Sequence, residues 1–164
     1  MDASREPLGE ALMYNDGVKD AEGLAAIAQV APATSGAHGA TSGLAKAIVL
    51  RRRGANCIVH QADWIASRFS GRLVTDANNA LKTGYDPVAG RWPDWIASLE
   101  FDLSALPPVV APATIVARVT PEAVEVFGLS AQTRVVAGTT DGAPPSSPPG
   151  RSAPATALLR SARR

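Results

Sequence analysis

The stretch Val135-Val-Ala-Gly-Thr-Thr-Asp-Gly142 runs an apolar segment into a loop of small residues with one carboxylate at its tip. A carboxylate at the end of a buried strand is well placed to act as a general base. Asp-Gly is also a common turn pair whose aspartate only shapes a loop, and spacing alone favours the turn. Two upstream strings could also do chemistry. Tyr14-Asn15-Asp16-Gly17 offers either a carboxylate beside an aromatic ring or an ordinary Asn-Asp-Gly turn. Thr75-Asp-Ala-Asn-Asn-Ala-Leu-Lys-Thr-Gly-Tyr-Asp86 gathers Asp76, Asn78, Asn79 and Lys82, donors and acceptors suited to a polyol, although Asp and Asn dominate turns as well.

Other patterns are excluded by their composition. The small-residue loop over 34–43 lacks the Gly-Lys-Ser/Thr ending of a phosphate-cradling P-loop. His38 and His60 have no cysteine pair or carboxylate at ligand spacing, so no metal site is expected. Trp64, Trp92 and Trp95 lack the surrounding basic residues of a nucleic-acid stacking platform and read as core or interface anchors.

These residues need elements to hold them. Leu12-Met-Tyr14 reads as a short strand entering a turn, with Asp16 at the strand end. Asp20 can cap a helix carrying Leu24, Ile27, Ala28 and Ala31, which Pro32 stops. Thr41 or Ser42 can cap a second helix with a Leu44, Ala47, Ile48 stripe, three arginines against the negative end of its dipole and Gly54 to close it. A third helix should carry Ile58, Ala62, Ile65 and Phe69 on one side and end before Gly71. Residues 75–93 are turn-rich, and Pro93 suits the start of a short helix with Trp95, Ile96 and Leu99. Strands are expected over 115–119 and 133–137. Between them Thr120, Pro121 and Glu122 start a helix that Gly128 ends. Apolar strands separated by helices predict an α/β layer with helices covering a sheet.

At 164 residues, the chain can hold one domain with a real core. Its 16 basic and 15 acidic residues argue against a nucleic-acid or anionic-membrane partner. No apolar run is long enough for a membrane span, and no signal peptide is read at the start. The lone Cys57 reads as a small buried side chain in a reduced, cytoplasmic compartment. The 23 residues from Gly142 include five prolines, four serines and four arginines but no acid, so this tail cannot form a core and is expected to be disordered.

Taken together and in order, the strings at Tyr14–Asp16, Thr75–Asp86 and Val135–Gly142 resemble the FGGY family of carbohydrate kinases. The resemblance implies a partial ribonuclease H-like (actin-like ATPase) α/β domain over 1–142, a mixed sheet with covering helices, followed by a Pro/Ala/Arg/Ser-rich tail over 143–164 of the kind a reading-frame change produces. It implies transfer of the ATP γ-phosphate, with Mg, to a sugar hydroxyl. Asp141 would be the general base, with Asp16, Ser42, Asn79, Thr140 and Gly142 around the substrate. Gly142, where many members carry an amide residue, resembles the subgroup acting on ketopentoses such as ribulose or xylulose. His38 and Thr41 would border the sugar.

The same resemblance implies that the N-terminal strand with its phosphate-approaching loop, and the nucleotide-holding second domain, are outside this sequence. The chain alone is then expected to be inactive, marginally stable and prone to self-association or docking through an exposed sheet edge. A non-catalytic sugar-binding module and one chain of a split kinase are the alternatives, since fold alone does not choose among them.

Overall fold

The computed structural model describes residues 1–138; positions 139–164 lie outside the described residues. Three ten-residue helices open the fold: α1 (Ala21–Val30), α2 (Gly43–Arg52) and α3 (Gln61–Ser70). As expected, Asp20 caps α1 through the amide of Gly23, and Ser42 caps α2 through the amide of Ala45. Ile27 of α1 and Leu44 of α2 are almost fully buried with Ile48, Ile96 and Phe101 in one core, each such side chain contributing roughly 1.5–3 kcal/mol of burial. Trp92 and Trp95 pack against this core, in line with their reading as anchors.

Two short elements went unread in the turn-rich stretch. Thr75–Asp76 forms β1, which pairs in parallel with β2 (Val109–Val110), and α4 (Ala77–Leu81) follows directly. A 3₁₀ helix spans Asp94–Leu99 after Pro93. The chain then forms β3 (Ile115–Arg118), α5 (Pro121–Phe127) and β4 (Arg134–Val136). The last helix follows the sequence reading closely: Thr120 caps it, Pro121 opens it and Gly128 ends it at φ 64°. Parallel and antiparallel pairing are both present, but in two separate two-stranded ribbons, with β3 antiparallel to β4.

Two expectations need correction. Leu12–Tyr14 is not a strand among the described residues, because no neighbouring backbone pairs with it. Its Met13 carbonyl instead receives the Asp16 amide at 3.1 Å in a closed turn. The ammonium of Lys46 donates to the carbonyls of Met13 at 2.6 Å and Tyr14 at 3.2 Å, fastening this segment to α2. The face of α3 is also different. Ile58 precedes the helix, and Ala62 and Ile65 are exposed, while Asp63 and Ser70 are buried. The helix turns its polar side to the polar cluster of β1 and α4, and Phe69 meets the ring of Phe127 at 5.0 Å.

The loop between α1 and α2 sits on the C-terminal end of α4 with almost no space between. The amide of Gly43 donates to the Lys82 carbonyl at 2.9 Å. A Cβ at Gly43 would lie 2.9 Å from that oxygen and 2.5 Å from Thr83 Oγ1, and one at Gly36 would lie 2.7 Å from the Leu81 carbonyl. The threonine can rotate away, whereas the peptide oxygen can move only with its helix. Gly43→Ala is therefore expected to lose about 1–2 kcal/mol despite the better helix propensity of alanine. Gly17→Ala, whose Cβ would meet only Ala40 Cβ at 3.6 Å, should be near neutral. Thermal melts of the two variants test this, and equal melting temperatures would refute the tight seat.

Candidate active site

Asp76 ends β1 and caps α4. One carboxylate oxygen accepts from the amides of Asn78 at 2.9 Å and Asn79 at 3.2 Å, and the other accepts from Asn79 Nδ2 at 2.8 Å. With Asp76 only 1% exposed, its charge is committed to holding α4 and the Asn79 side chain. Asn79 keeps its Oδ1 and lines a cavity of about 820 Å³; Asp76 does not. Ser42 lines the same cavity, and its Oγ accepts from the Ala45 amide at 3.2 Å while its hydroxyl hydrogen remains to be given. His38 and Thr41 also line it, with His38 Nε2 donating to the Pro32 carbonyl at 2.8 Å.

Asp16 is placed differently. Its carboxylate accepts from the Met13 amide at 2.6 Å and lies outside the cavity lining, although Tyr14 is part of it. Thr140, Asp141 and Gly142 lie outside the described residues.

Sequence reasoning overlooked two residues here. Lys46 lines the cavity while holding the Met13–Tyr14 carbonyls. Its only signal was its position one helical turn after the Ser42 cap. Asp63, in the first turn of α3, is 6% exposed, with its Oδ2 left without a partner while the carboxyl faces the Thr75 hydroxyl and the Asn79 side chain. Burial pushes the Asp63 carboxyl up to about 6, with nearby Asp76 adding to the shift and the Thr75 and Asn79 side chains and the His60 backbone partly offsetting it. His60 Nε2 faces Thr83 Oγ1 at 3.3 Å, and burial, with Lys82 next in strength, holds this imidazole below its ordinary value. Among the described residues no three His, Cys, Asp or Glu side chains gather.

The cavity is thus a largely apolar cleft, with walls from Leu50, Ile58 and Trp92, into which some hydroxyl, amide and cationic groups face. The family model for the FGGY family of carbohydrate kinases, N-terminal domain, matches residues 47–144, more than half of the chain. The chain belongs to the FGGY family of carbohydrate kinases. An autoinducer-2 kinase of Yersinia enterocolitica is 36% identical over 88 residues, which are 52% of this chain and 17% of that protein. Among solved structures, a xyloylose kinase from Brucella ovis matches with a TM-score of 0.68 at 17% identity, over 85% of this chain and 31% of that one. A xylulose kinase from Rhodospirillum rubrum matches at 0.61 and 21% identity, over 74% of this chain and 28% of that one. These likenesses show that the described residues take the α/β fold of FGGY sugar kinases. The chain spans less than a third of the length of each of these relatives.

Proposed function

We propose that these residues form the sugar-binding side of an ATP-dependent kinase that phosphorylates a ketopentose such as ribulose or xylulose, with Asp141 as general base. The observation that carries this reading is the reach of the family match. It runs through residue 144 and so takes in Thr140, Asp141 and Gly142 together with Asn79. Phosphoryl transfer asks a protein chiefly to align the nucleophile, neutralise charge and accept the hydroxyl proton as the oxygen attacks. Asp141 takes that proton, with Thr140 and Gly142 among the residues that bind the substrate. Ser42 and Asn79 bind sugar hydroxyls from within the cavity, whereas Asp16, outside its lining, would have to release the Met13 amide to reach the sugar. The polar side chains among that cavity's lining support this assignment.

Members of the family use ATP and a divalent metal, and the chain spans at most 31% of the matched structures named above. The 164 residues alone are accordingly proposed to be inactive, as part of a cytoplasmic enzyme whose domain boundary falls near 142. A partner chain is a second reading, favoured by the β3–β4 ribbon. Its Ile115 and Val136 are 55% and 42% exposed, and among the described residues no third strand pairs with it. Self-association through this ribbon belongs to the same reading.

ADP release from MgATP, with ribulose, xylulose and gluconate compared, is the test. The 164 residues alone should release none. Mixing with a chain carrying the nucleotide-holding half should give release that depends on the ketopentose. Turnover by the chain alone would overturn the inactivity, and equal rates with all three sugars would overturn the substrate class. Stabilisation by a ketopentose without turnover even after mixing would point to a binding module.

A further inference from the structure

Asn79 can show the cavity either end of its carboxamide, and the choice is made behind it. A carboxamide has N–H donors at one end and an acceptor oxygen at the other, whereas an ionised carboxylate only accepts. Asn79 Nδ2 donates to Asp76 Oδ2 at 2.8 Å, and both residues are buried. The buried Asp63 carboxyl faces the same side chain from α3. Turning the carboxamide over would set its oxygen against the Asp76 carboxylate, acceptor against acceptor. Asp76 cannot swing away to relieve that clash, because its other oxygen holds the amides of Asn78 at 2.9 Å and Asn79 at 3.2 Å at the start of α4. The carboxamide is thus held one way round, with its nitrogen on Asp76 and its oxygen left for the cavity that Asn79 lines.

That orientation sets what the cavity asks of a ligand. Lys46 and Lys82 bring ammonium donors to the lining, and Ser42, whose oxygen accepts from the Ala45 amide, has a hydroxyl hydrogen to give. Asn79 Oδ1 supplies the complementary acceptor. A hydroxyl can donate to it, while a carbonyl or carboxylate has no hydrogen to offer at that point. A site built to pair with a ligand hydroxyl rejects a ligand lacking it, because the site's own polar group is then left unpaired.

We propose that Asp76 is a positioning residue that makes Asn79 an obligate acceptor, so that this point of the cavity selects a ligand group able to donate a hydrogen bond, such as a hydroxyl of a polyol. The proposal deepens the sugar reading above and rests on it for the class of ligand, but not on Asp141 or on which sugar is bound.

The test exchanges the two side chains. Asp76→Asn keeps a capping oxygen for α4 but turns an N–H towards Asn79, whose carboxamide must then flip and point its own N–H groups into the cavity. Adding Asn79→Asp restores an acceptor there, because the new carboxyl takes that N–H on one oxygen and leaves the other to the ligand. The ¹⁵N-labelled 164-residue chains are compared by NMR at pH 5, where Asp63 holds its proton and puts no second charge beside the new carboxyl. Without ligand, the Asn79 carboxamide of the wild type should be protected from exchange with water. Asp76→Asn should speed that exchange about tenfold and leave the backbone amides of α4 protected. In titrations with ribulose and xylulose, binding should weaken about tenfold in Asp76→Asn and recover in the double variant. A wild-type carboxamide that exchanges freely would overturn the proposal even if a variant fails to fold. So would an exchange rate that Asp76→Asn leaves unchanged, or a double variant that binds as weakly as the single one, since a purely structural role for Asp76 is not rescued at Asn79. If the wild type binds neither ketopentose, the sugar reading falls, and the exchange measurement still decides the orientation.

Discussion

Asp63→Asn is expected to make the chain more stable above pH 6, by on the order of 3 kcal/mol, and to leave it unchanged below pH 4. The argument rests on burial. Asp63 is 6% exposed, one of its oxygens has no partner, and its carboxyl titrates at about 6 instead of 3.8. The folded state therefore holds the proton more tightly than the unfolded chain does. Its contribution to stability is complete below about pH 4, is lost as pH rises towards 6, and stays lost above that. A shift of this size corresponds to about 3 kcal/mol of differential interaction. Asparagine carries no charge and can keep a hydrogen bond to the Thr75 hydroxyl in place of the carboxyl. His60 runs the other way: with its folded value lowered, its contribution is present above 6.5 and is lost as pH falls through that lowered value. Comparing variant with wild type at each pH cancels the histidine. Chemical denaturation at several pH values from 4 to 8 is the measurement. A constant difference across that range would mean that the Asp63 carboxylate is solvated or paired.

On the reading proposed above, Asp141→Asn in an assembled kinase should lower kcat by about 10²–10⁴-fold with KM for the sugar little changed. Asparagine keeps the shape of the side chain and its hydrogen bonds to a hydroxyl, so binding survives. It cannot take the proton as the hydroxyl attacks, so the chemical step slows. The acidic limb of the kcat profile, which reports a base being protonated, should vanish in the variant. Asn79→Ala should behave in the opposite manner, raising KM more than it lowers kcat. A loss of less than tenfold at Asp141 would sink its assignment as the base.

What could be read from the residues follows the range of the forces involved. Helix α5 was legible because Thr120, Pro121 and Gly128 act within a turn or so of themselves. The caps of α1 and α2 were legible for the same reason. The buried face of α3 was not, since it is chosen by Thr75 and Asn79, residues more than ten positions away with which Asp63 shares its buried surroundings. Strands of two residues such as β1 and β2 have no periodicity to detect, and exist through their mutual register across 34 residues of chain. Leu12–Tyr14 had the composition of a strand, yet composition supplies no partner backbone. In the candidate site, Asn79 and Ser42 were singled out through resemblance to a family. Their meeting in one cavity is a product of tertiary structure, as is the reach of Lys46 to the Met13 and Tyr14 carbonyls. Asp63 escaped attention because a first-turn acid usually serves the helix dipole at the surface.

The seat of Gly43 against Lys82 joins two parts of the chain that are remote in sequence but locked in time. The Gly43 amide can exchange its hydrogen with solvent only when α4 and the start of α2 separate, because its acceptor is the Lys82 carbonyl at 2.9 Å. Its exchange rate is thus a clock for the opening of the cavity wall that carries Ser42 on one side and Asn79 on the other. A ligand that bridges the two sides would slow that clock without moving a single backbone atom.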